Sequence, residues 1–141
     1  MIVVDSRERK WEHIQDYFER NRVPYRAHIK LDCGDYFNTK YPYVVIDRKA
    51  NLQEVCSNLQ NGKENYHRFM RECKRAKDRN MHLIVLVEGT QCTSLDDVAR
   101  TWTSKYSKHN GKWLARQMFN VSCAYGVEWR GQRVTIDGVV A

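Results

Sequence analysis

Val44-Val45-Ile46-Asp47-Arg48-Lys49 is an apolar run that ends in acid, base, base. Read as a strand, its side chains alternate between two faces, so Asp47 and Lys49 share one face and Arg48 takes the other. A lone acid stands upstream, in Gly34-Asp35-Tyr36. If Asp35 lies on a neighbouring strand, two carboxylates and one ammonium converge. Two hard oxygen ligands suit Mg²⁺ or Mn²⁺. An ammonium beside them can hold a phosphate oxygen or the attacking water. Acid-x-Lys alone is a short word, equally compatible with a surface salt-bridge strand, so its meaning depends on what surrounds it.

Outward from this run, the chain reads as alternating strands and helices. Residues 2–5 predict a buried strand. Residues 9–22 predict a helix with Trp11, Ile14 and Phe18 on one face, ended by Val23-Pro24-Tyr25. Residues 25–31 and 35–38 are expected to be extended, with a break at Asp32-Cys33-Gly34. Asn51 is the expected N-cap of a helix carrying Leu52, Val55, Cys56 and Leu59 at helical spacing, broken by Asn61-Gly62. A second helical stretch covers 63–79, with Tyr66, Phe69, Met70 and Cys73 inward. Met81 to Val87 is a continuous apolar run suited to a central strand covered on both faces. Leu95, Val98, Ala99 and Trp102 keep helical spacing behind a Ser94 N-cap, and 112–124 predict a further helix. Val127 to Trp129 and Arg133 to Ile136 flank a Gly131 turn and predict a short hairpin. The order is an α/β pattern.

A chain of 141 residues predicts one domain with a real core. Its formal charge of +7 favours a polyanionic partner. The five cysteines, Cys33, Cys56, Cys73, Cys92 and Cys123, include no CxxC pair. They read as reduced, mostly buried thiols rather than a zinc site or disulfide frame. Cys33, beside the acid-bearing stretch, reads as a packing residue. The apolar start is too short for a secretory signal, and no apolar run approaches the ~20 residues of a membrane span. The expectation is a soluble, cytoplasmic protein with no membrane partner.

Three words now stand in order: Val3-Val4-Asp5-Ser6-Arg7-Glu8, Gly34-Asp35-Tyr36 and Asp47-Arg48-Lys49. Together they resemble the XPF-type nuclease domain of eukaryotic repair proteins and the archaeal Hef nuclease, whose pattern is VDxRE, GDY and ERK. The resemblance covers roughly residues 1–90. It implies a restriction-endonuclease-like fold of the PD-(D/E)xK type, with a mixed central sheet flanked by helices. On that basis 1–141 is expected to be a single nuclease domain, with a helical and hairpin extension in 91–141. The small stand-alone form is similar to phage or prophage versions of the domain. That points to a bacterial or phage-infected cytoplasm and a role in replication, recombination or repair.

The implied activity is divalent-metal-dependent endonucleolytic cleavage of branched, flap or junction DNA, with a homodimer as the expected assembly. Asp35 and Asp47 are the expected metal ligands, helped by a backbone carbonyl near Arg48. Lys49 is expected to stabilise developing charge and orient the water. The resemblance also brings Asp5, Arg7, Glu8 and Arg48 to the site, with Arg7 as a phosphate holder. Two departures from the family pattern stand out. Asp47 replaces the Glu of ERK, and Gln53 occupies the position four after the Lys where the family often has an acid. The expected DNA contacts are Lys63 and Arg68 on the basic helix, then Lys105, Lys108 and Lys112. The last three fall in 98–127, which holds no acid and interleaves its bases with Trp102, Tyr106 and Trp113. Of these aromatics, Trp102 reads as core and the other two are open. The alternatives are a catalytically silent DNA-binding subunit that positions a partner nuclease, and a restriction-type nuclease for plain duplex or single strands.

Overall fold

The buried stretch His82-Leu83-Ile84-Val85-Leu86-Val87 lies within the sheet, paired in parallel on both sides. Covered by helices on both faces, it has no need of polar alternation. The structure, a computed structural model, describes residues 1–131. Among these residues the strands are β1 (Ile2–Asp5), β2 (Tyr25–Ile29), β3 (Tyr36–Asn38), β4 (Val44–Lys49), β5 (His82–Val87) and β6 (Glu128–Gly131). The helices are α1 (Glu12–Arg20), α2 (Leu52–Leu59), α3 (Glu64–Asp78), α4 (Leu95–Thr101) and α5 (Gly111–Tyr125). The strands form one sheet in the order β2-β1-β3-β4-β5-β6. β3 runs antiparallel to both β1 and β4, and the other neighbours pair in parallel. This is the mixed α/β architecture expected of a restriction-endonuclease-like fold.

The sheet separates two cores. On one face Ile2, Val4, Tyr36, Ile46, Ile84 and Leu86 pack with Ile14 and Phe18 of α1. On the other, Val45, Leu83, Val85 and Val87 pack against apolar residues of α2, α3, α4 and α5. The alternation along β4 therefore puts Ile46 and Arg48 towards α1, and Val45, Asp47 and Lys49 towards the helical layer.

Local chemistry sets the helix starts. Asn51 accepts from the Glu54 amide at 2.8 Å, and the Glu54 carboxylate accepts from the Ala50 amide at 3.0 Å. This reciprocal cap opens α2 beside the end of β4. Ser94 and Asn110 cap α4 and α5 in the same way, through the amides of Asp97 and Trp113. α5 ends at Gly126, whose φ of 71° is left-handed.

The differences from the sequence reading are local. α1 is shorter than 9–22, because no side chain caps its start and Arg9, Lys10 and Trp11 form the turn that enters it. The first arm of the expected hairpin is β6, a parallel sixth strand of the central sheet. Its second arm, 133–136, lies outside the described residues. No helix among the described residues is long and apolar enough to cross a membrane.

Candidate active site

The β3–β4 pairing matches Tyr36 with Ile46 and Phe37 with Val45. Continued by one residue, it sets Asp35 opposite Asp47, on the face of the helical layer. The Asp35 amide donates to the Ile46 carbonyl at 2.7 Å, and its carboxylate accepts from the Arg48 amide at 2.8 Å. Lys49 Nζ lies 3.2 Å from Asp47 Oδ2 and 4.9 Å from the Phe69 ring centroid. The two acids and one ammonium of the sequence reading are thus neighbours at one end of the sheet. The carboxyl ends of β1, β4 and β5 meet there, as functional groups of such sheets commonly do.

Each residue of the GDY word has a distinct task. Gly34 has φ +74°, and a Cβ there would collide with Val45 Cγ2 and come within 2.9 Å of the Ile46 carbonyl oxygen. The chain crosses directly over β4 at this point, which sets Asp35 down opposite Asp47. Tyr36 is fully buried on the opposite face, edge-on to Trp11.

One acid of this cluster escaped the sequence reading. Glu72 of α3 accepts from the Gly34 amide at 2.9 Å and lies beside Asp47 and Lys49. The signal was available, because Glu72 falls within the Phe69, Cys73, Ala76 stripe of buried residues, where an acid has no packing reason to be. Burial, then the Asp47 charge, pushes the Glu72 carboxyl well above the usual carboxylate range. Burial, then Asp47 and Glu8, does the same to Asp35. For Lys49, burial opposes the charge, but Asp47, Glu72 and Glu54 outweigh it and the ammonium is held upward of its ordinary value. Three carboxylates against one ammonium leave an excess of negative charge in a poorly solvated place.

Arg48 points to the other face and does different work. Its guanidinium donates to Glu8 at 3.0 and 3.2 Å, to Glu88 at 2.6 Å and to the Arg9 carbonyl at 2.7 Å. Glu88 in turn meets His13 at 2.8 Å. Arg48 therefore fastens the turn after β1 to the ends of β4 and β5. Glu88, the second acid missed in the sequence, closes this network from the residue after β5. Asp5 accepts from the Leu31 amide at 2.8 Å and from the Arg7 backbone and guanidinium at 2.9 to 3.1 Å. Burial opposes its ionisation, but those bonds outweigh it and hold the carboxyl below its usual value. Arg7 also donates to the Leu31 carbonyl and sits in the field of Asp35 and Glu72. Glu8, Asp5 and Arg7 thus border the acid cluster, with their charges committed to partners. Burial pushes the neighbouring Cys33 thiol up to about 12, as expected of a packing residue and not a nucleophile.

The donor set is compatible with a hard divalent ion. Asp47 Oδ2 is buried without a hydrogen bond, and every nearby candidate donor is a carboxylate oxygen. No three of His, Cys, Asp or Glu among the described residues stand close enough to make a protein-only cage. That arrangement suits Mg²⁺, which is commonly held by one or two carboxylates and completes its shell with waters and substrate phosphate.

The bases sort by partner. On α3, Arg71 and Lys74 pair with Glu64 and Asp78, and Arg79, just past its end, pairs with Asp32. Lys63, Arg68, Lys105, Lys108 and Lys112 are exposed and form no ion pair with a described residue. Arg68 lines a cleft of about 200 Å³ with Lys49, Glu54, Asn58, Asn65, Phe69 and Glu72. Trp102 and Trp113 pack against the helical-layer core, whereas Tyr106 is 83% exposed.

The ERCC4 domain family model matches residues 4–130. The chain belongs to this family. ERCC4 domains are XPF-type, structure-specific DNA nuclease domains that generally depend on divalent metal. The match reaches past the three motifs to β6, so the second half of the described chain is included. A comparison with curated proteins gives no significant match.

Proposed function

We propose that this ERCC4 domain is a divalent-metal-dependent endonuclease that hydrolyses phosphodiester bonds in branched, flap or junction DNA. The observation that carries the reading is the meeting of Asp35 and Asp47 with Lys49 Nζ, 3.2 Å from an Asp47 oxygen that lacks a hydrogen bond. Asp35 and Asp47 would hold Mg²⁺ or Mn²⁺. A bound divalent ion supplies Lewis-acid polarisation of the phosphate and a more acidic water.

The rest falls to the side chains. Lys49, kept charged in a buried position, meets the charge that develops on the phosphate oxygens and orients the attacking water. The Arg48 network holds the end of β4 so that Asp47 and Lys49 keep their spacing. Arg68, in the same cleft as Lys49, and Lys63, at the start of α3, grip neighbouring phosphates. A shorter Asp in place of the family's Glu retains a carboxylate at the same strand position. Glu54, next to the Gln53 that replaces the family's acid, is engaged in the α2 cap. The reading includes a homodimer, on family resemblance, and a setting in the cytoplasm of a bacterial or phage-infected cell, in replication, recombination or repair.

Cleavage of labelled duplex, single strand, flap, fork and four-way junction, with Mg²⁺, with Mn²⁺ and with chelator, tests this directly. Branched substrates should be cut preferentially and only with metal. Lys49→Ala should lower the rate at least about a hundredfold while DNA binding persists. Cutting that is undiminished by excess chelator would overturn the metal mechanism. Binding without cleavage under every condition would favour a silent DNA-binding subunit.

A further inference from the structure

The loop between α4 and α5 is fastened at both ends, yet it leaves an aromatic ring uncovered at its tip. Thr103 and Asn110 form an antiparallel bridge across its base. The Ser104 hydroxyl accepts from the amides of Tyr106 and Ser107 at 3.2 and 3.0 Å and donates to Gln53 of α2 at 3.1 Å. His109 stacks on Trp113 at 3.7 Å between ring centroids, nearly parallel. Gly111 lies so close to the Val98 carbonyl that a Cβ there would collide with it. The loop backbone is thus tied down, and Tyr106 at its tip remains 83% exposed between the unpaired Lys105 and Lys108.

Beside the Tyr106 ring is a depression of about 400 Å³ lined by Gln53, Glu54, Ser57, Gln60, Lys63 and Tyr106, with Ser107 at its edge. Its chemistry is specific: two carboxamides and a hydroxyl that can meet a base edge, one aromatic face, and one ammonium. It adjoins the cleft of Lys49, Arg68 and Glu72, because Glu54 lines both. The α2 stretch from Gln53 to Gln60 between them is roughly 10 Å long, within the reach of one or two nucleotides.

We propose that this depression is a subsite for an unpaired nucleotide, in which the base stacks on Tyr106 and its phosphate meets Lys63. The subsite rests on the nuclease reading and narrows its substrate to DNA with at least one unstacked base next to the cut. A base within a continuous duplex is stacked on both sides and cannot present a face to Tyr106. A base at a flap or junction exit can, and stacking of this kind tolerates any sequence.

Binding measured in chelator separates the subsite from cleavage. The probes are a flap DNA with 2-aminopurine at the first unpaired position and a duplex of equal length. Tyr106→Ala should weaken flap binding about five- to a hundredfold, the loss expected for one stacked base. The ratio of flap to duplex affinity should fall towards one, and the 2-aminopurine quenching seen with the unsubstituted protein should vanish. Tyr106→Phe, which keeps the ring, should retain both ratio and quenching. Equal losses on flap and duplex, or no loss on either, would overturn the subsite. Stacking lost in the Phe variant as well as the Ala variant would assign the effect to the hydroxyl and also overturn it. Failure of the unsubstituted protein to bind any DNA would instead overturn the nuclease reading on which the subsite rests.

Discussion

Gly34→Ala is the substitution whose cost the structure lets one work out, and it bears on both stability and activity. Gly34 has φ +74°, a left-handed conformation that costs a residue with a Cβ about 1–2 kcal/mol. The new Cβ also collides with Val45 Cγ2 and meets the Ile46 carbonyl oxygen at 2.9 Å. Val45 is buried and the carbonyl belongs to β4, so neither has room to yield. Overpacking of this kind costs about 1–3 kcal/mol, which gives a total near 2–5 kcal/mol. Gly62→Ala is the internal control. Gly62 has φ +88° with nothing within 4 Å of a built Cβ, so it carries the conformational cost alone. Urea unfolding of both variants should therefore show Gly34→Ala losing about 1–3 kcal/mol more than Gly62→Ala. Relief of the collision displaces Asp35 from its place opposite Asp47, and a shift near 1 Å can cost about a hundredfold in rate. Cleavage by Gly34→Ala should fall on that scale below the unfolding transition, while Gly62→Ala stays active. Equal destabilisation by the two substitutions would refute the close crossing of β4. A stable but fully active Gly34→Ala would refute its role in setting Asp35.

Asp47→Glu should keep a reduced but measurable cleavage rate and Asp47→Ala should keep none, since a carboxylate is required and an added methylene shifts it by about 1 Å; equal rates for both variants and the unsubstituted chain would remove Asp47 from the site. Replacement of Lys105, Lys108 and Lys112 together by Ala should reduce the slope of log affinity against log salt by roughly three, the count of phosphates released, and an unchanged slope would place the DNA track elsewhere. Asp35 and Glu72 are raised above ordinary values of 3.8 and 4.5, so above that range the folded chain holds protons that the unfolded chain has lost. Their contribution to stability therefore falls as pH rises, and in chelator a shift from about pH 8 to about pH 6 should raise the unfolding temperature. Glu72→Gln, which keeps an acceptor for the Gly34 amide, should weaken that pH dependence, and so should added Mn²⁺; a pH dependence identical in all three settings would contradict the crowding of carboxylates around Asp47.

The strands and most helices were legible because each is written in its own period. Leu83 to Val87 are apolar without a break since both faces are covered, and Leu52, Val55, Cys56 and Leu59 repeat as a helix should. Asp35, Asp47 and Lys49 were legible for a related reason. Strand alternation fixes which face a residue takes, so a short motif on a strand implies a geometry. Glu72 and Glu88 come from elements whose placement depends on tertiary packing. Glu72 reaches the site only because α3 lays its Phe69–Cys73 stripe on the sheet, and Glu88 only because β5 runs parallel beside β4. The way the loop at 103–110 is tied is illegible for the same reason, since its anchors, Gln53 and Val98, belong to other elements.

The DRK word illustrates why adjacency in sequence is a poor guide to shared chemistry on a strand. Asp47 and Lys49 meet across one face, whereas Arg48 between them is committed on the other to Glu8 and Glu88. Its guanidinium is largely buried, and its donors are spent on two carboxylates and the Arg9 carbonyl, so no fork is left free for a phosphate. A charge in that position is costly unless paired, and removing it would strand Glu8 and Glu88 as well. Arg48 thus serves the site through the backbone, by fixing where β4 ends relative to the turn after β1. Glu8 is the other half of that device, which explains why an acid three residues past the end of β1 belongs with a motif some forty residues away. The same strand end carries a clamp on one face and the chemistry on the other, and the Asp35 carboxylate joins them, because it accepts from the Arg48 amide while facing Asp47.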